Sequence, residues 1–217
     1  MPRTRVKICC IQNSEEASLA IEFGADAIGL VGKMPSGPGP IEDSTIKEIV
    51  ASVPPPVGTF LLTSELTAKA IVDHWKGVHT NTIQIVDYIG ESEYAKIRSE
   101  IPWVKLVQVI HVEDGTSINR AVRIEKYVDG ILLDSGKPNA ATKILGGTGM
   151  THNWEISKEI IARTGKPAFL AGGIKPENVN GAIQHVRPFG IDVCTGVRTD
   201  GKLDRRKLEK FFDEIAD

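Results

Sequence analysis

The chain has 217 residues, of which 41% are hydrophobic and 25% charged, a balance typical of a folded globular domain. Its formal net charge of −2 excludes the strong positive field that recruits nucleic acid or an anionic membrane, so we expect neither partner. No apolar run approaches the roughly 20 residues of a membrane span. The three cysteines, Cys9, Cys10 and Cys194, are odd in number and two are adjacent, which argues against a disulfide framework and predicts a cytoplasmic protein.

Short β-branched or apolar runs recur along the whole chain, with helix-like segments between them. Their spacing of about 25 residues suits one strand and one helix for each unit of an eightfold barrel. We therefore predict an α/β fold, a single-domain (β/α)8 TIM barrel over residues 1–217, with an open doubly wound sheet as the alternative. The predicted strands are Val6–Cys10, Ala27–Val31, Val57–Leu62, Thr82–Val86, Val104–Ile110, Gly130–Leu133, Pro167–Ala171 and Gly190–Cys194.

Capping and glycine signals mark several of the helices. The first has Asn13 as its N-cap, Glu16 three residues later as in a capping box, and Gly24 just after its last turn. The terminal helix is amphipathic, with Leu208 and Phe211 on its apolar face. Further helices are predicted at Ser92–Ser99, Ser117–Tyr127, Trp154–Thr164, Pro176–His185 and Asp204–Ala216.

Two long segments without helix or strand signals follow strands. Met34–Pro40 follows the second strand, and Ser135–His152, which contains Gly146-Gly147-Thr148-Gly149, follows the sixth. Loops of this length in a compact domain are usually lids or binding loops. The segments after barrel strands lie on the face that carries the active site, so both are expected to border a ligand.

Glycines after the last two strands indicate an anion site. Gly172 and Gly173 follow the seventh strand, and Thr195 and Gly196 follow the eighth. Glycine lets backbone N–H groups approach an anion, and a short helix N-terminus adds donors. Ordinary tight turns are the alternative explanation for each pair. Their joint position predicts a phosphate group bound at the mouth of the barrel.

The first strand carries a thiol beside a cation. Lys7 and Cys9 alternate onto one face, whereas Val6, Ile8 and Cys10 are expected on the opposite face. If the first pair faces the interior, the cation lowers the pKa of the thiol and favours the thiolate that a general base or nucleophile needs. A small buried hydrophobe is the equally plausible alternative for Cys9.

Acidic residues follow or lie within two other strands. Asp134 follows the apolar sixth strand, where desolvation raises a carboxyl pKa toward the range of a general acid. An N-cap or a solvated loop residue is the alternative. Asp192 in the last strand is a candidate interior partner for a cation such as Lys7, and whether His111 reaches the mouth is left open.

These residues together resemble the phosphoribosylanthranilate isomerase family, barrel enzymes of tryptophan biosynthesis. The resemblance runs over almost the whole chain. Its motifs are Val6–Cys9, Gly24–Gly29, Val57–Phe60, Gln84, Leu132–Asp134, Gly146–Gly149 through Trp154, Ala171–Val179, Val186–Asp192 and Gly196-Val197.

The resemblance implies a cofactor-free, metal-free Amadori rearrangement of a small phosphorylated sugar substrate. It implies Asp134 as the general acid that opens the ribose ring and Cys9 as the general base that takes the C2 proton. It also implies that Gly147 and Gly149 belong to a mobile loop. The candidate substrate- and phosphate-binding residues are Lys7, Gly147, Gly149, Gly172, Gly173, Thr195 and Gly196.

The sequence departs from the family pattern at positions that include those expected to bind the non-phosphate end of the substrate. Cys10 replaces a glycine, Ser36–Pro40 lacks the family's arginine, Val86 replaces a histidine, and Arg198 replaces a glutamate. Lys33 or Arg198 is a candidate to replace the missing cation. A barrel acting on a different sugar phosphate and a non-catalytic phosphate-binding relative are therefore the alternative functions. The sequence does not indicate an oligomeric state.

Overall fold

A computed structural model describes residues 3–135 and 153–216. Eight parallel strands form a closed barrel in the order β1 to β8, with β8 pairing back onto β1, which confirms the predicted TIM barrel. A two-stranded antiparallel hairpin, β9 and β10, precedes the last helix. The strands are β1 (Arg5–Ile8), β2 (Ala27–Val31), β3 (Gly58–Thr63), β4 (Thr82–Ile85), β5 (Lys105–His111), β6 (Gly130–Asp134), β7 (Ala168–Leu170), β8 (Gly190–Val193), β9 (Arg198–Thr199) and β10 (Lys202–Leu203).

Helices follow the barrel strands and pack on the outside of the barrel. The first is capped as predicted, because the side chain of Asn13 accepts a hydrogen bond of 2.8 Å from the backbone N–H of Glu16. The helices are α1 (Ser14–Glu22), α2 (Asp43–Ser52), α3 (Ala68–Val78), α4 (Glu91–Glu100), α5 (Thr116–Ile124), α6 (Trp154–Arg163), α7 (Val179–Val186) and α8 (Arg205–Ala216). In the described part of the chain, no helix has the length and apolarity needed to cross a membrane.

Helices α2 and α3 were not among the predicted helices. The N-cap of α2, Glu42, makes no side-chain capping bond, and the typical capping residues Asp43, Ser44 and Thr45 lie inside the first turn of the helix instead of before it. The signal for α3 was present, since Thr67 caps Ala70 and the apolar residues Ile71 and Trp75 recur at helical spacing. Gly77, the second-last residue of α3, has a low helix propensity and weakens the helical pattern of the sequence there.

The strands divide the core into an outer and an inner layer. The outer layer lies between strands and helices and includes Val6 and Ile8. The inner layer fills the barrel and includes Cys9, Leu132 and Phe169. Lys7 and Cys9 therefore lie on one face of β1, as the alternation predicted, and that face is the interior one.

The prediction that Cys10 faces away from Cys9 is wrong. Both side chains belong to the inner layer and line the same cavity. β1 ends at Ile8, and Cys10 has a left-handed backbone conformation with φ of 62°. Strand alternation no longer applies at that position, because the left-handed residue turns its side chain back toward the barrel mouth.

Candidate active site

One cavity opens at the C-terminal ends of the barrel strands, with an empty volume of about 740 Å³ that includes space open to solvent. That size suits a small-molecule site. Cys9 at the end of β1 and Asp134 at the end of β6 both line it. Its wall also includes Cys10, Val31, Met34, Ser36, Gly37, Pro38, Leu62, Gln84, Val86, Val109, Ala171, Gly172, Gly173, Ile174, Asp192, Cys194 and Thr195.

A buried ion pair supports the floor of this cavity. The Nζ atom of Lys7 donates a hydrogen bond of 2.7 Å to Asp192, and the lysine side chain has no exposed surface. Burial alone would lower the pKa of Lys7, but the Asp192 carboxylate and the Cys9 thiol raise it above the usual lysine value. Lys7 is thus a permanently charged group beneath the cavity, with no surface left to touch a ligand in it.

The Cys9 thiol lies above this cation and is 4% exposed. A hydrogen bond from the Cys10 thiol lowers the pKa of Cys9, and Lys7 lowers it further, while burial and the Asp192 carboxylate oppose both. Gly29 on β2 leaves the room for this arrangement. A Cβ atom there would lie 2.7 Å from the sulfur of Cys9 and 2.9 Å from the Nζ of Lys7.

Asp134 has the opposite electrostatic environment. Burial, with a smaller contribution from the Asp192 carboxylate, raises the pKa of Asp134 to about 6, although the backbone N–H of Ser135 donates a 2.7 Å hydrogen bond to it. The cavity therefore contains a thiol displaced toward ionisation and a carboxyl group displaced toward protonation. Such a pair can serve as base and acid at neutral pH.

Two glycine-containing turns lie beside Asp134. Gly172 and Gly173 after β7 have φ of 76° and 66°, the left-handed region that glycine adopts readily. A Cβ on Gly172 would lie 3.0 Å from Asp134 Oδ1, and one on Gly196 would lie 2.0 Å from the carbonyl oxygen of Ile174. The two turns pack closely together, and Thr195 begins a 3-10 helix at the cavity wall. Backbone N–H groups in such turns form anion-binding concavities.

Not every predicted binding residue lies on the cavity wall. Gly172, Gly173 and Thr195 line it, whereas Gly196 does not and packs behind it against Ile174. Gly147 and Gly149 fall outside the described residues.

The sequence model of the N-(5'-phosphoribosyl)anthranilate (PRA) isomerase family matches residues 6–214. This match covers nearly the entire barrel, including the candidate base Cys9 and the candidate acid Asp134. The chain belongs to the PRA isomerase family. The expected resemblance is thereby confirmed.

Individual PRA isomerases are similar to the chain over its whole length. The enzyme of Methanocella arvoryzae is 33% identical over 213 residues, covering 98% of each sequence. That of Methanosarcina acetivorans is 32% identical and covers 98% of this chain and 93% of its own. The crystal structure of the Thermotoga maritima enzyme has a TM-score of 0.81 at 30% identity, covering 98% of both chains. Another, in complex with reduced 1-(o-carboxyphenylamino)-1-deoxyribulose 5-phosphate, has a TM-score of 0.78 at 28% identity.

Arg198, one of the departures from the PRA isomerase pattern, forms a buried clamp that joins the segment after β1 to helix α1. Its guanidinium donates to both carboxylate oxygens of Glu16, at 3.0 and 2.8 Å, and to the carbonyl oxygen of Cys10 at 2.5 Å. Burial would lower the pKa of Arg198, but Glu16 raises it. Arg198 does not line the cavity and is committed to these partners, so the suggestion that it replaces the missing substrate-binding cation is wrong.

The region where the PRA isomerase pattern has an arginine and a histidine is uncharged here. Met34, Ser36, Gly37, Pro38 and Val86 line that side of the cavity. Within residues 3–135 and 153–216, no lysine or arginine lines the cavity, and Lys33 is an exposed residue beside it.

The polar residues Gln84 and His111 occupy different positions relative to the cavity. Gln84 lines the cavity at 3% exposure, and its Oε1 has no hydrogen-bond partner among the described residues. His111 is fully buried, with Nε2 at 2.9 Å from the carbonyl oxygen of Val86, and does not line the cavity. Sequence patterns gave no signal for the Glu16 and Arg198 clamp, because 182 residues separate its members.

Proposed function

We propose that this chain is a PRA isomerase that catalyses the cofactor-free Amadori rearrangement of an N-(5'-phosphoribosyl) aryl amine, a step of tryptophan biosynthesis. The proposal depends on one observation: the Cys9 thiol, whose pKa is lowered, and the Asp134 carboxyl group, whose pKa is raised, line the same cavity. We further propose that the protein acts as a single barrel domain in the cytoplasm, where free thiols are maintained.

Asp134 acts first, as the general acid. With a pKa of about 6, a fraction of the enzyme holds this proton at neutral pH. The proton is transferred to the ribose ring oxygen, the bond from that oxygen to C1 breaks, and the nitrogen lone pair forms the C1–N double bond of a Schiff base. Asp134 is left as a carboxylate, stabilised by the Ser135 N–H.

Cys9 acts second, as the general base. Its thiolate removes the proton from C2, and the electrons of the broken C–H bond neutralise the protonated Schiff base to give an enolamine. The enolamine then becomes the ketone, with C1 regaining a proton, so no atoms are gained or lost overall. Lys7 beneath Cys9 stabilises the thiolate through its positive charge.

Backbone donors hold the phosphate in this proposal. The N–H groups of the turns containing Gly172, Gly173, Thr195 and Gly196 surround the anion, since no lysine or arginine of the described cavity wall is available for it. Gln84 accepts a hydrogen bond from a substrate hydroxyl, because its buried Oε1 otherwise lacks a donor.

The test is turnover of the phosphoribosyl adduct of anthranilate, with the aldose and ketose separated by chromatography. Cys9→Ala and Asp134→Asn should each reduce kcat by at least about a hundredfold, the usual contribution of a general acid or base. Gly181→Ala is the matched control, because a Cβ on that helical glycine meets no atom within 4 Å. Full activity in either site variant would refute the assigned chemistry. Rescue of a tryptophan-requiring strain that lacks the isomerase tests the substrate independently.

The adduct of unsubstituted aniline separates this proposal from a barrel with altered substrate. Because the described wall has no cation to bind a carboxylate, we expect the aniline adduct to be used with a kcat/KM within about tenfold of the anthranilate adduct, a difference of about 1.4 kcal/mol. Turnover of neither adduct would favour a different sugar phosphate.

A further inference from the structure

Two cavity thiols that take no direct part in the proposed proton transfers lie against each other. The sulfur atoms of Cys10 and Cys194 are 2.7 Å apart, closer than non-bonded sulfur atoms normally approach. Both are free cysteines, and both line the cavity that contains Cys9. This contact is independent of Lys7, Asp192 and Asp134.

The backbone around the pair permits a covalent bond. Cys10 follows β1 and Cys194 follows β8, and these strands are hydrogen-bonded neighbours with Ile8 opposite Val193. This register places Cys9 opposite Cys194, and Cys10 comes one residue later, so the contact between the two sulfur atoms, and not strand pairing, brings Cys10 and Cys194 together. Neighbouring strands lie about 4.8 Å apart, and a disulfide spans Cα separations of about 4.4–6.8 Å. The left-handed conformation of Cys10 turns its thiol toward Cys194, and the Arg198 clamp on the Cys10 carbonyl holds it there.

We propose that Cys10 and Cys194 form a modification site that reacts with low-molecular-weight disulfides and closes to an intramolecular disulfide, which reversibly inactivates the enzyme. Cys194 is the entry point, because it is partly exposed while Cys10 is only 6% exposed. The inactivation part of this proposal rests on the proposed isomerase function. The disulfide part does not.

The reaction is a two-step thiol–disulfide exchange. The Cys194 thiol gives up its proton, and its sulfur attacks one sulfur of the small disulfide, which releases the first small thiol. The Cys10 thiol then gives up its proton, and its sulfur attacks the Cys194 sulfur of the mixed disulfide, which releases the second. Two electrons and two protons pass from the cysteine pair to the reagent, whose sulfur–sulfur bond is replaced by two thiols.

The bond should inactivate the enzyme through Cys9. The Cys10 thiol donates to Cys9 and favours its thiolate, and a Cys10 sulfur held in a disulfide has no proton to donate. The bond also fixes the ends of β1 and β8 to each other at the wall of the cavity. Both effects act on the proposed base without touching Asp134.

The experiment treats the purified full-length chain with oxidised glutathione, then blocks the remaining thiols with an alkylating reagent and measures intact mass and turnover. We expect a species two hydrogen atoms lighter that takes up one alkyl group, from the three cysteines of the chain. Turnover should fall by at least about a hundredfold, the contribution of a general base, and return with dithiothreitol. Crosslinked peptides should join the segment containing Cys10 to the one containing Cys194.

Variants identify the bonded pair. Cys194→Ser, Cys194→Ala and Cys10→Ser, each checked by circular dichroism for an intact fold, should form no intramolecular bond. The two Cys194 variants should keep their own untreated activity after glutathione, whereas Cys10→Ser keeps the entry thiol and should stop at a mixed disulfide with glutathione. Cys9→Ser should still form the bond, and its failure to do so would overturn the assignment to Cys10. In the wild type, a stable glutathione adduct without ring closure, or a bond that leaves turnover unchanged, also overturns the proposal. A bond in a chain with no isomerase activity instead refutes the proposed function and leaves the modification site standing.

Discussion

Replacing Asp134 by asparagine should stabilise the protein at neutral pH while abolishing turnover. The pKa of Asp134 in the folded chain is about 6, against 3.8 for an unperturbed aspartate, because the side chain is buried beside Asp192. At about 1.4 kcal/mol for each pH unit, this difference amounts to about 3 kcal/mol. A group whose pKa is raised by folding contributes stability below its unfolded pKa, and that contribution is lost as pH rises through the folded pKa. Above about pH 6 the free energy of unfolding of the wild type is therefore lower by about this amount.

The assay is urea unfolding of wild type and Asp134→Asn, followed by circular dichroism between pH 4 and pH 8. The free-energy difference between them should grow in favour of the variant by about 2–3 kcal/mol across this range, since asparagine cannot ionise and part of the total already appears below pH 4. Asp129→Asn is the matched control, for which the change in the free energy of unfolding should have the opposite sign. Burial would raise the pKa of Asp129, but the hydrogen bond from Arg98 lowers it, so this variant should be less stable than wild type at pH 7, with the gap closing in acid. A difference for Asp134→Asn that is independent of pH would refute the reasoning.

Three further predictions follow from the buried groups of the cavity. The pH profile of kcat/KM should stop rising at about pH 6, because loss of the acid form of Asp134 then offsets any further gain of the Cys9 thiolate, and a profile rising through pH 8 would contradict that role. Lys7→Met should lower the free energy of unfolding by about 3–5 kcal/mol, because it leaves Asp192 charged and unpaired, and Lys7→Met with Asp192→Leu should recover much of that loss in the same urea titration. Strictly additive losses would argue against the pair. Gly29→Ala should reduce kcat by at least about tenfold, since its Cβ would meet the Cys9 sulfur at 2.7 Å, whereas wild-type kinetics would mean that the strand yields without moving the thiol.

Local patterns in the sequence were sufficient to predict the barrel and part of the site. The recurrent apolar runs located all eight strands, and alternation on the first strand put Lys7 and Cys9 on one face, which the closed barrel turns toward the interior. The direction of Cys10 was not predictable, because its left-handed backbone breaks the alternation after Ile8. The partners of Arg198 were not predictable either, since the clamp joins residues 182 positions apart and no periodic signal reports on such a contact.

The pairing of β1 with β8 has a consequence for the order in which the site forms during translation. The residues that surround Cys9 on this side, Asp192 and Arg198, are separated from β1 by more than 180 positions. A ribosome completes residue 9 early but supplies these neighbours only when translation is almost over. The growing polypeptide therefore carries the lysine and both thiols without the partners that fix their positions, and the site is assembled only once the barrel has closed.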